Sequence, residues 1–190
     1  MLTFDHAAHQ YHYDGKPVVN VTRVIAPLLD LSMVKPEQLE VARQKGVATH
    51  RMVELWAKGD LDEATLPEWM QPIHKTWLKV VAETGLEVVA SEHRVFHKTL
   101  KYAGTLDLKV KMRGRNGLGI VDVKRSFFAG PVVGLQTAAY AEADEDDIKW
   151  RAGLRLREDQ PYRLETYEDK NDFSVFLALL TIHNFKRKHQ

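Results

Sequence analysis

The chain has 190 residues, 44% of them hydrophobic, and a formal net charge of +1. That length buries a sizeable core in one domain, 1–190, with no metal or disulfide staple. It has no cysteine. This excludes disulfides, thiolate zinc sites, iron–sulfur clusters and a cysteine nucleophile, and the near-zero charge leaves any affinity for nucleic acid to local patches.

The opening "MLTFDHAAHQ" has no apolar segment of the signal-peptide kind, and no later run is long enough to span a bilayer. A soluble, cytoplasmic protein with no membrane partner is expected. His6, His9 and His12 fall on an exposed tail and a first strand, with no acidic pattern beside them to suggest a metal. "YHYDGKPVVNV" reads as a hairpin around an Asp-Gly turn. "VTRVIAPLLD" reads as a short helix stopped near Pro27. "KPEQLEVARQKGVATHRMVELWAKGD" is helical, opened by Pro36 and closed by Gly59, with Gly46 as a point of bending or division. "LPEWMQPIHKTWLKVVAETG" is a second helical stretch ending at Gly85. Trp56, Trp69 and Trp77 belong with the core of this helical region.

The pattern then changes to strands: "LEVVASEHRVFH", "YAGTLDLKVKM" and "GLGIVDVKRS", the last two joined by the turn-rich "RGRNG". "GPVVGLQTAAYAEA" is a helix with Pro131 in its first turn. "DIKWRAGLRLRED" and "PYRLETYED" are two further strands, and "NDFSVFLALLTIHNF" is a closing apolar helix before a basic tail, "KRKHQ". This order predicts an α/β (α+β) domain, a central mixed sheet flanked by helices.

Two strands carry charge in telling places. Alternation puts Leu118, Ile120, Asp122 and Lys124 on one face, apolar at its start and charged at its end. Periodicity alone leaves two readings: a strand end emerging with an ordinary salt bridge, or a charged pair facing a cleft. Asp107 shares a face with Thr105, Lys109 and Lys111, away from Leu106, Leu108 and Val110, which alone is a solvated face. Adjacent antiparallel strands can nonetheless bring Asp107 and Asp122 to one point. Two carboxylates and a backbone carbonyl are hard oxygen ligands that suit Mg²⁺ or Mn²⁺. Lys124, on the side of Asp122, can orient or deprotonate a water or offset phosphate charge. Together these groups match the needs of metal-assisted phosphodiester hydrolysis.

"GTLD", a hairpin and then "IVDVK" resemble the core of the PD-(D/E)XK nuclease superfamily. Flanking segments resemble its RecB-type exonucleases: an approach strand carrying Glu92, "GLQTAAYA" with Gln136 and Tyr140, and "KGVATHRMVE" with His50. The entry "DGKPVVNVTRVIAPLL" is similar to that of phage-type and mitochondrial genome-maintenance exonucleases. The resemblance spans about residues 11 to 145 and has five elements in the family order.

The resemblance implies a restriction-endonuclease-like core and a Mg²⁺- or Mn²⁺-dependent deoxyribonuclease. It also implies action on DNA ends or single strands, in recombination, repair or phage DNA metabolism. A DNA-binding module that keeps the fold without catalysis is the alternative. Asp107, Asp122, the Val123 carbonyl and His50 are the implied metal ligands. Lys124 is catalytic, Glu92 a metal ligand or a salt-bridge partner of Arg94 or Lys124, and Gln136 and Tyr140 position Lys124 or a phosphate. Arg43, Lys45, Arg51, Lys98 and Lys101 are candidates to line a strand-binding groove. Glu54 reads as a surface residue. Arg125 stands where a Thr often follows the motif lysine, and "RGRNG" lengthens the interval between the two aspartates.

Overall fold

The computed structural model describes residues 1–29, 32, 34–125 and 130–189. Asp30, Ser126 and Gln190, at the ends of expected elements, lie outside them. The expected hairpin is β2 (Gln10–Tyr13) and β3 (Lys16–Asn20). Asp14 and Gly15 between them both hold positive φ, 49° and 75°, as a two-residue turn matched to strand twist requires. A strand that the sequence reading treated as tail, β1 (Leu2–Asp5), adds antiparallel to β2.

Asn20 then caps α1 (Val21–Ile25), its side-chain oxygen accepting from the Arg23 N–H at 2.6 Å. Pro27 lies in a 3₁₀ turn that follows at once. The long helix α2 (Pro36–Lys58) opens on Pro36 and stops at Gly59, φ 75°. It runs unbroken through Gly46, so the expected division does not occur. One glycine costs a helix only about 1 kcal/mol relative to alanine, too little to interrupt one this long. α3 (Gln71–Thr84) is preceded by a 3₁₀ turn over Glu68–Met70.

The strand region forms a meander of β4 (Glu87–His97), β5 (Tyr102–Lys111) and β6 (Leu118–Lys124). Next, α4 (Pro131–Ala143) crosses over to β7 (Ile148–Arg155), which lies parallel to β6. β8 (Arg163–Thr166) and α5 (Asp172–His189) complete the chain. The strand order is β1-β2-β3-β5-β6-β7-β8, with β4 also paired to β5. β3–β5 and β6–β7 are parallel and the other pairs antiparallel, so the sheet is mixed, as expected.

Among the described residues, a small apolar cluster around Tyr11, Val18 and Ala103 lies under the N-terminal hairpin, and two large ones sandwich this sheet. One joins Met52, Ile73 and Trp77 from α2 and α3 to Leu108, Val121 and Leu154; Trp56 and Trp69 pack partly buried against it. The other joins Val24, Tyr140 and Phe176 from α1, α4 and α5 to Tyr102, Leu106 and Ile120. Leu106 and Leu108 therefore enter different cores, and simple alternation along β5 fails between them. The break falls at Asp107, which lies opposite Glu92; Glu92 itself holds φ 48°. The β5–β6 ladder ends at Leu108↔Val121. Beyond it the Val123 N–H donates to the Asp107 carboxylate, Oδ2, at 2.6 Å, not to a backbone carbonyl. The expected solvated face is corrected accordingly. Lys109 is buried, with Nζ 2.6 Å from Asp144 Oδ1 and 2.8 Å from Asp146 Oδ2. Among the described residues no helix is long and apolar enough to cross a membrane.

Candidate metal centre

The break in β5 turns Asp107 toward α2. There His50, on the helix face that meets the sheet, places Nδ1 3.4 Å from Asp107 Oδ1 and 4.0 Å from Glu92 Oε1. One ligand atom from each of His50, Glu92 and Asp107 lies within 4.8 Å of the others. His50 Nε2 is 2.7 Å from the Val123 carbonyl oxygen. A carbonyl only accepts, so Nε2 carries the hydrogen and Nδ1 is the atom turned to the carboxylates. This is how an outer hydrogen bond fixes a ligating imidazole. The Val123 carbonyl is thus engaged by His50, and the Val123 N–H by Asp107.

Asp122 is almost wholly buried. Its Oδ2 pairs with Lys124 Nζ at 2.8 Å, while Oδ1 is buried without a hydrogen-bond partner. It is not part of the three-residue group. A buried carboxylate oxygen without a hydrogen-bond partner, near the Asp107 carboxylate, is a place for a cation. Two acids and a neutral imidazole suit a divalent metal with mixed oxygen and nitrogen preference. The residues present therefore fit a metal ion.

The electrostatics point the same way. Burial raises the Glu92 carboxyl, and the charge of Asp107 adds to it, to about 7. Burial raises Asp122 to about 6 against the pull of Lys124. Burial opposes the charge on His50, but the Asp107 carboxylate outweighs it and lifts the imidazole to about 9. Asp107 is driven up by burial and down by His50, Lys124 and the Val123 N–H, and settles below the usual range. Lys124 loses to burial but gains more from Asp122 and Asp107, so it holds its proton tightly. With the Nε2 hydrogen turned to the Val123 carbonyl, the second imidazolium proton is on Nδ1, facing the Asp107 and Glu92 carboxylates.

No family model matches the chain, and no curated protein matches it. Among solved structures it is similar to an alkaline exonuclease, LHK-Exo, from Laribacter hongkongensis. The identity is 16% and the TM-score 0.37, over 90% of this chain and 93% of that one. LHK-Exo in complex with dAMP matches over the same shares, at 16% identity and a TM-score of 0.38. Both likenesses are distant.

Around the centre, Gln136 donates to the Tyr140 hydroxyl at 3.1 Å, and both are buried. The Tyr140 ring lies on Gly104, where a Cβ would come within 2.4 Å of the ring. Gln136 and Lys124 also line a largely apolar groove of about 420 Å³ with Ile25, Leu39 and Val132. Glu54 is mostly covered and accepts from Arg51 and Lys58 at 2.6 and 2.5 Å. It lines the cleft at His50, Glu92 and Asp107.

The candidate substrate cations divide. Arg43 pairs with Glu40, Lys45 with Glu158, Arg51 with Glu54 and Lys98 with Glu145. Lys101 instead sits over the rings of Tyr13 and Phe96, at 5.5 and 5.6 Å. Two further features had no sequence signal. Glu158 binds both Lys45 and Arg125 from across the fold. Tyr11 shares a 2.6 Å hydrogen bond with Thr105, two residues before Asp107.

Proposed function

We propose that the chain is a metal-dependent nuclease that hydrolyses phosphodiester bonds in DNA, acting as an exonuclease on ends or single strands. The observation that carries the reading is the meeting of His50, Glu92 and Asp107, from a helix and two strands, beside a buried Asp122–Lys124 pair. His50 Nδ1, Glu92 and Asp107 would hold the ion, with Asp122 adjoining. When bound, a divalent ion supplies Lewis-acid polarisation of the phosphate and a water of lowered pKa. Mg²⁺ or Mn²⁺ suits the carboxylates, and the imidazole favours Mn²⁺.

Lys124 keeps its proton, so it acts as a cation and donor. It steadies the attacking water or the charge that develops on the phosphate, and it does not remove a proton. Asp122 fixes the Lys124 ammonium through their 2.8 Å pair. Gln136 and Tyr140 position residues from behind: Tyr140 props β5 at Gly104, and Gln136 closes the groove beside Lys124.

The test is digestion of end-labelled linear and covalently closed circular DNA, single- and double-stranded, with Mg²⁺, Mn²⁺ or EDTA. Shortening of linear DNA from its ends, dependent on metal, is expected. Nicking of closed circles would make the protein an endonuclease, and no cleavage of any substrate would overturn the reading.

A further inference from the structure

On β4, two residues beyond Glu92, Arg94 stands opposite Thr105 of β5. Two residues further, Phe96 stands opposite Ala103. These pairs continue the line that begins with Glu92 and Asp107. The N-terminal hairpin folds over this line: Tyr11 reaches Thr105, Phe4 lies under Arg94, and Tyr13 stacks on Phe96 at 3.9 Å.

The cations on this line differ from the others around the centre. The Arg94 guanidinium lies 5.6 Å from the Phe4 ring centroid, with Nη2 3.5 Å from His6 Nε2. Lys101 lies over Tyr13 and Phe96. Neither Arg94 nor Lys101 has a carboxylate partner among the described residues. The hairpin's own acids are turned elsewhere: Asp5 accepts from the Ala7 and Ala8 N–H groups, and Asp14 pairs with the N-terminal amine. An aromatic face holds a cation in place without neutralising it. Its outward N–H groups remain available, and the guanidinium fork matches a phosphate. The Arg94 Nη2–H group donates to His6 Nε2 at 3.5 Å, and its remaining N–H groups meet no carboxylate among the described residues.

The spacing suits an extended polyanion. Two strand residues advance about 6.8 Å, so Arg94 stands one such step from Glu92 and the Phe96–Lys101 position two. A strand routed over Arg43, Lys45, Arg51 or Lys98 would first have to break an ion pair at each.

We propose that this face of β4 and the N-terminal hairpin carries the sugar–phosphate backbone of a single DNA strand away from the metal centre. Arg94 and His6 take the phosphate beside the scissile one, and Lys101 takes the next. The inference rests on the nuclease reading for where the scissile phosphate lies.

The experiment is fluorescence anisotropy of a labelled oligothymidylate with the full chain in EDTA, across a salt series. Each phosphate contact on a single strand contributes about 0.7 to the slope of log affinity against log salt. Arg94→Gln with Lys101→Gln is expected to flatten that slope by about 1.4 and to weaken binding. Arg43→Gln with Arg51→Gln should change the slope far less. An unchanged slope in the first pair, an equal loss in both pairs, or no binding by the wild type overturns the track.

Thermal melts check that each variant folds. If the first pair does not, Arg94→Lys replaces it: lower affinity at an unchanged slope is expected, and unchanged affinity overturns the role of the fork. Cleavage by the wild type with Mn²⁺ is scored in parallel. Cleavage with an unchanged slope removes the track and leaves the nuclease. A flattened slope without cleavage keeps the track and removes the nuclease.

Discussion

Two groups of buried charge meet on β5 and differ in kind. Around Lys109 a buried cation meets two carboxylates, Asp144 Oδ1 and Asp146 Oδ2. Burial opposes the ammonium, but its bonds to Asp144 and Asp146 hold it charged, and Asp146 is held below the usual carboxylate range by the same contact. Around His50 three acids converge, and two of them, Glu92 and Asp122, are pushed up to about 7 and about 6. One of those acids also sits at positive φ, a conformation that costs about 1–3 kcal/mol away from glycine. A cluster in which a cation is held charged by the acids around it holds a fold together. A cluster whose acids are forced toward protonation is waiting for another cation.

Substitutions should separate the two clusters. The largest effect is expected from Asp107→Asn and Asp122→Asn. Each should lower metal-dependent cleavage by about a thousandfold or more. Asp122→Asn should keep a melting temperature near wild type, because burial holds that carboxyl at an electrostatic cost, while Asp107→Asn should lower it in EDTA through loss of the His50 ion pair. End-labelled DNA digestion beside thermal melts is the check, and near-wild-type cleavage would contradict the assignment. Lys109→Met should do the reverse. It leaves Asp144 buried without its cation and should cost about 3 kcal/mol of stability, read by urea unfolding, while turnover per folded molecule is kept.

A smaller effect separates ligand from scaffold at His50. His50→Ala should weaken Mn²⁺ by at least about tenfold, with cleavage partly restored at raised Mn²⁺. A purely structural imidazole would lower the melting temperature and leave the Mn²⁺ titration curve unmoved.

The smallest effects come from pH. The folded pKa of His50 is raised above 6.5, so its contribution to stability is full below 6.5 and is lost as pH rises through about 9. Glu92, raised from 4.5 to about 7, acts in the same direction at lower pH. Metal binding runs opposite, because the imidazole and the carboxyl must both be unprotonated. In EDTA the melting temperature should therefore fall from pH 5 to 9, about the span of those two shifts. The stabilisation added by Mn²⁺ should grow over the same range. An NMR titration of the His50 ring in EDTA should centre near 9 and drop in Asp107→Asn. A midpoint near 6.5 in the wild type would remove the ion pair from the argument.

The order of elements was legible in the sequence because it rests on short-range chemistry. The Asp14-Gly15 turn, the prolines that open α2 and α4, the glycines that end α2 and α3, and the apolar alternation of β6 each act within a few residues. Asp122 and Lys124 stood out for the same reason, because each interrupts a local pattern, whereas Asp107 drew notice only by its place across a hairpin from them. What lay beyond local pattern was decided by the tertiary structure. Glu92 joins His50 and Asp107 because β5 breaks its alternation where Asp107 takes the Val123 N–H, and Asp122 turns to Lys124. Lys109 looks solvent-facing in β5 but is buried by acids from beyond α4. Lys45 finds its carboxylate at Glu158, while Arg94 and Lys101 find rings from the N-terminal hairpin. Charge pairing depends on distance through space, and chain spacing carries no record of which acid a folded sheet brings beside which base.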